Sequence, residues 1–246
     1  MSSTRRPAQE RGRTETVKRP EVWSRVWWEQ SGLTAMLASL ALALFVGGPV
    51  GALRGAGQLL FDLCFSLFLV SGVVAFSRNR GLAIVVAVAG VASLVARWDP
   101  YGGPLGLNRQ HEGWLSIATL LILTFLVLQH VFRDGAITAD RVRGAILAYL
   151  LLGLVWAFAY ELVELRYPGA ILMGGRPLGD ANPTHTFGYF SLVTLTTLGY
   201  GDIVPVHPIA RSLAVAEALI GQLYPAILIA RLVSLQISSR QQGGQK

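Results

Sequence analysis

Apolar residues fall into six runs along the chain, 33–53, 59–76, 82–96, 114–132, 145–165 and 209–237, separated by short polar or Gly/Pro-rich links. A helix needs about 20 residues to cross a hydrocarbon layer of about 30 Å. The runs therefore predict six transmembrane helices, the third being the shortest. Helices are the required form, because a lone strand in lipid would leave its backbone groups unpaired.

Composition points the same way: 52% of the 246 residues are hydrophobic and 14% charged, where soluble domains carry about 25% charge. Of the 21 Lys and Arg residues, 15 fall in the N-terminal segment, the links after the second and fourth runs, and the C-terminal end; 6 fall on the other side. The positive-inside bias then places both termini in the cytoplasm of a multi-pass protein of the cell membrane. The net charge of +7 reads as topology and attraction to anionic lipid. Basic residues spread over separate loops make no nucleic-acid patch. A basic leader and an apolar core of this length exceed a cleavable signal, so the first run is expected to be a retained anchor. Residues 1–30 are expected to form a basic cytoplasmic tail, disordered at least to residue 20. Trp23, Trp27 and Trp28 then sit at the headgroup level. The lone Cys64 permits no disulfide within the chain.

Between the last two runs the pattern changes. Residues 167–183 are rich in Gly and Pro and predict an extracellular loop. Thr184 is a candidate N-cap, and 185–196 form an apolar run too short to span. Such a helix dips into the membrane and stops, its negative dipole end aimed at the interior. Residues 196–202 then read Thr-Thr-Leu-Gly-Tyr-Gly-Asp. Non-helical backbone at that depth is tolerated only against protein or water. Stacked carbonyl oxygens facing a narrow axis can replace a cation's hydration shell. That requires φ > 0 at some positions, which Gly199 and Gly201 adopt without steric cost. Leu198 and Tyr200 would turn outward, and Thr197 can add a hydroxyl oxygen at the inner mouth.

Residues 189–205, Tyr-Phe-Ser-Leu-Val-Thr-Leu-Thr-Thr-Leu-Gly-Tyr-Gly-Asp-Ile-Val-Pro, resemble the pore helix, filter and outer mouth of the tetrameric potassium channel superfamily. The resemblance covers about 145–237, and the stretch 219–233 looks like the inner helix of small bacterial six-helix members. It implies that Thr197, Leu198, Gly199 and Tyr200 supply the filter carbonyls that bind potassium, with Gly201 completing the strand. It also implies that Tyr189, Phe190, Thr194, Thr196 and Asp202 support the filter, the first two as an aromatic cuff and Asp202 as the outer-mouth acid. Arg211 and Gly221 fall where members carry a basic residue and a flexible glycine. Leu198 replaces the commoner valine, and Val193 occupies a position that holds a carboxylate in some relatives.

The expected fold is therefore an all-α integral membrane protein: six transmembrane helices with a re-entrant pore helix and filter between the fifth and sixth. Residues 31–143 form a four-helix domain, 144–238 the pore domain and 239–246 a cytoplasmic tail. One filter per chain implies a homotetramer that conducts potassium passively, with no cofactor beyond the permeating ion. A cation transporter with a filter-like loop is the alternative. No nucleophile, base and orienter set, phosphate loop or metal-ligand spacing suggests an enzyme. The fourth run holds no Lys or Arg, so it lacks the ladder of a voltage sensor. No nucleotide-binding regulatory module is expected after Ile237. Asp62, Glu161 and Glu164 read as solvated acids near outer helix ends. Glu217 lies about two turns inside the last helix, a candidate modulatory carboxyl. Gly221 and Pro225 weaken one hydrogen bond and mark a candidate gating hinge.

Overall fold

The computed structural model describes residues 20–46, 56–76, 80–98, 109–133, 138–178 and 183–243. Helices α1 (Pro20–Phe45), α2 (Ala56–Ala75), α3 (Arg80–Trp98), α4 (Arg109–Phe132) and α5 (Ala139–Arg166) come first. Strands β1 (Ile171–Met173) and β2 (Arg176–Pro177), helix α6 (Pro183–Leu195), strand β3 (Ile203–Pro205) and helix α7 (Pro208–Gly243) follow. Gly81–Trp98, Arg109–Phe132, Ala139–Arg166 and Pro208–Ser234 are long and apolar enough to cross a membrane; Gly32–Phe45 and Leu59–Ala75 are apolar but shorter. The chain is thus a helical membrane protein with four candidate spans among the described residues. The rest of the first expected crossing, 47–53, lies outside them, as does the tail 1–19.

Several expectations shift. Helix α1 begins at Pro20, so 20–30 are helical rather than disordered, and α7 continues to Gly243 where a tail was expected from 239. Helix α6 starts at Pro183, which puts Thr184 inside the first turn. Proline suits the first helical position, where its missing N–H has no partner to lose. The Gly/Pro-rich segment is not a plain loop. Gly174 and Gly175, at φ 55° and 77°, make the two-residue turn that right-handed strand twist favours, joining β1 to β2. Strand β1 also pairs antiparallel with β3, Met173 opposite Ile203 and Ile171 opposite Pro205. A three-stranded sheet, ordered β2-β1-β3, therefore ties the segment before α6 to the one after the filter.

Helix α5 is the centre of the packing. Of the 28 residues of α5, 12 are buried, among them Leu147, Leu151, Phe158 and Tyr160. Small residues let neighbours approach it: a side chain at Gly153 would press on Leu192 of α6, and one at Gly144 on Val131 of α4. Phe65, Phe68, Leu123, Leu151 and Phe158 fill the space between α2, α4 and α5. Between helices in lipid, which is as apolar as these side chains, such contacts stabilise through close packing rather than through escape from water.

The expected solvated acids are all partnered. Arg97 of α3, buried, donates to Asp62 of α2 through Nε at 2.6 Å and to Glu112 of α4 through Nη1 at 2.9 Å. Its guanidinium lies 4.9 Å from the Phe61 ring centroid and 5.4 Å from that of Phe65. Arg109 pairs with Glu161 at 2.9 Å. Glu164 accepts the N–H groups of Gly169 and Ile171 at 2.7 and 3.0 Å. Low dielectric among packed helices makes an ionised carboxylate costly unless it is paired or hydrogen-bonded, as these three are.

Candidate functional site

The end of α6 builds the site. A helix terminus leaves carbonyls without intrahelical donors, and here the following strand supplies them. Thr197 N–H donates to Thr194 O at 2.9 Å, and Leu198 and Gly199 N–H both donate to Val193 O, at 2.9 and 3.3 Å. The amides are thereby committed to the helix. Thr197, Gly199 and Gly201 have φ of 57°, 57° and 79°, while Leu198 and Tyr200 between them do not. Alternation of left- and right-handed backbone turns successive carbonyls toward one side. Thr197 was expected in the filter, but its positive φ was not, because a β-branched residue seldom takes φ > 0. Strain of that kind persists where surrounding structure over-determines it, and the paired amides do so here.

Side chains sort around this strand. Leu198 and Tyr200 are 55% and 67% exposed, and line a groove of about 630 Å³ together with Tyr189, Val193, Tyr149 and Phe45. Tyr189 OH donates to Asp202 Oδ2 at 2.9 Å, which fixes the outer end of the strand to the middle of α6. Phe190, the other member of the expected aromatic cuff, faces away from the groove. It is buried with its ring edge-on to Tyr160, centroids 4.7 Å apart. Thr194 and Thr196 hydroxyls donate back to Phe190 O and Leu192 O, holding their own helix. Past the strand, Gly174 N–H donates to Asp202 O at 2.9 Å, and Arg211 Nε donates to Pro205 O at 3.1 Å.

Helix α7 supports the site from behind. Glu217 is fully buried; Tyr160 OH donates to its Oε2 at 2.6 Å, and Ser191 Oγ bonds its Oε1. One turn on, Gly221 meets the end of α6 so closely that a side chain there would overlap the Leu195 carbonyl. The same carbonyl accepts Tyr149 OH at 3.2 Å. A further turn along, Tyr224 OH donates to Ala145 O at 2.8 Å. Glu217, Gly221 and Tyr224 follow the i, i+4, i+7 spacing of one helix face. That stripe is the signal by which sequence could have found Tyr224 as the companion of Glu217; Tyr149 and Tyr160, three turns apart on α5, are its counterpart.

A family model described as ion channel matches residues 144–237, which hold every element of this site. The two pore potassium channel c of Oryza sativa subsp. japonica is 35% identical over 90 residues, 35% of this chain and 19% of that protein. The inward rectifier potassium channel Kirbac3.1 of Paramagnetospirillum magnetotacticum is 32% identical over 83 residues, 32% of this chain and 24% of that protein. Over this segment the chain is thus similar to ion channels. Protein LctB of Geobacillus stearothermophilus matches 45 residues at 49% identity, 18% of this chain and 33% of that protein. The chain spans a third or less of the length of these relatives.

Proposed function

We propose that this protein is a potassium-selective channel in which four identical chains surround one pore of the cell membrane. The observation that carries the reading is the strand 197–201, whose amides are held by α6 and whose backbone alternates in hand. Carbonyls of Thr197, Leu198, Gly199 and Tyr200 then form four stacked rings that replace the hydration shell of potassium. In this reading all six long helices span the membrane with both termini cytoplasmic. Helix α6 is re-entrant, 31–143 is a peripheral four-helix domain, and 144–238 is the pore domain. No cofactor is required.

Exposure of Leu198 and Tyr200 in the single chain supports the tetramer, since neighbouring copies around the axis would cover both side chains. Lipid can cover the outer apolar surface of α7. Gating is placed at Gly221 and Pro225 in α7, since Pro225 inside the helix removes a donor and crowds the carbonyl four residues back. Purified protein in potassium-loaded liposomes should pass potassium and rubidium in preference to sodium, as read from flux and from reversal potentials. Equal permeation of sodium would overturn the reading. Unitary openings in a planar bilayer would set it apart from a transporter.

A further inference from the structure

Three oxygens behind the filter leave a question of proton supply. Ser191 Oγ lies 2.6 Å from Gly153 O of α5 and within hydrogen-bond reach of Glu217 Oε1 of α7. A serine hydroxyl has one proton. If Glu217 were ionised, both neighbours of Ser191 would be bare acceptors, and one contact would set oxygen against oxygen with no hydrogen between. Tyr160 cannot supply the missing proton, because its own is directed at Oε2.

We infer that Glu217 is a neutral carboxylic acid which donates its proton to Ser191 and so positions α6 behind the filter. Protons then match contacts: Tyr160 donates to Glu217, Glu217 to Ser191, and Ser191 to Gly153 O. Surroundings agree with the count. Helix α7 packs against α5, α6 and β3. From these elements the groups facing Glu217 are the Tyr160 and Tyr149 phenols of α5 and the Ser191 hydroxyl of α6; β3 brings no titratable side chain. Among the described residues no Lys or Arg forms an ion pair with Glu217, so a carboxylate there would lack a counter-charge. Ser191 sits one turn before Leu195, whose carbonyl meets Gly221, so the proton-bearing contact and the close approach fix α6 to α7 at successive turns. Glu217 is thus a positioning residue for the strand that α6 carries. The role in conduction rests on the channel reading above; the protonation state does not.

Infrared difference spectra of the full chain in lipid provide the test. At neutral pH the parent should show the carbonyl stretch of a buried protonated carboxylic acid, and Glu217→Gln should lose it. Glutamine keeps a donor and an acceptor at the same places, so E217Q should retain the parent's potassium flux and thermal midpoint. Glu217→Ala leaves the buried Tyr160 hydroxyl without an acceptor and breaks the Ser191 link between α6 and α7, and should lose roughly tenfold in flux. Absence of the band in the parent overturns the inference, as does an E217Q as damaged as E217A, because a charge would then be what the site needs. If E217A does not assemble, the band and E217Q decide. If the parent passes no potassium, the channel reading fails while the infrared band still decides the proton.

Discussion

Gly199 and Gly221 are both glycines for reasons that a substitution to alanine would separate. Around Gly199, at φ 57°, an added Cβ meets nothing within 4 Å. Its penalty is conformational, about 1–2 kcal/mol for an L-residue in the left-handed region. Gly199→Ala is therefore expected to fold and assemble, yet to lose selectivity, because the strand relaxes by rotating a carbonyl off the axis. Flux of potassium against sodium from the same liposomes reads this, and an unchanged preference would contradict the filter assignment. Gly221 presents the opposite case. Nothing is asked of its φ, but a Cβ would overlap the Leu195 carbonyl, a backbone atom with little freedom to move. Gly221→Ala should push α7 off α6 and destabilise the protein by about 1–3 kcal/mol, seen as a lower thermal midpoint in detergent. A hinge that uses Gly221 must therefore move α6 and α7 relative to each other. Pro225→Ala, which restores a hydrogen bond without touching α6, should shift open probability and leave selectivity as in the parent.

Helices α2, α3 and α4 meet on Arg97. Its side chain is 6% exposed, whereas that of Arg109, which links α4 to Glu161 of α5, is 51% exposed. Removing one member of a buried ionic group strands the others and costs about 3–5 kcal/mol. An exposed pair contributes about 1 kcal/mol or less. Arg97→Gln should accordingly lower the unfolding midpoint strongly, while Arg109→Gln should change it little. Equal effects would mean that Arg97 is not the tie between the three helices. Inside the membrane α4 carries no Lys or Arg after Arg109. A charge crossing the field yields about 2.3 kcal/mol per 100 mV. With none placed to move on α4, open probability should vary weakly between about −100 and +100 mV, voltages set by that same scale. A steep conductance curve would show that Arg97 or the permeating ions move through the field instead.

For the whole molecule the tetramer reading concerns one side of the single chain. The groove behind Leu198 and Tyr200 lies open there, as expected if it is an interface in one assembly. Native mass spectrometry of detergent-extracted protein should give a tetramer, and a charged substitution such as Leu198→Glu should disperse it. A monomer that still conducts would sink the four-fold pore.

Much of this was legible before any coordinates. Length and apolarity alone located the helices, because lipid allows few other backbones. The motif at 196–202 marked the strand, because only glycine accepts left-handed φ cheaply at Gly199 and Gly201. What local pattern could not supply was the choice of partners. Asp62 and Glu161 read as solvated acids, and each found an Arg from another helix, since ion pairing depends on which helices adjoin, while Glu164 took the backbone N–H groups of Gly169 and Ile171 just past its own helix. The pairing of β1 with β3 joins residues on either side of α6, and no short window holds both strands. Thr197 took a conformation its side chain disfavours because Thr194, Leu198 and Gly199 contacts fix the backbone around it. Sequence thus determined which segments enter the membrane and where backbone must bend, through properties each residue carries alone. Tertiary structure decided which hydroxyl meets Glu217 and which carbonyl meets Gly221, because those follow from how α5, α6 and α7 cross.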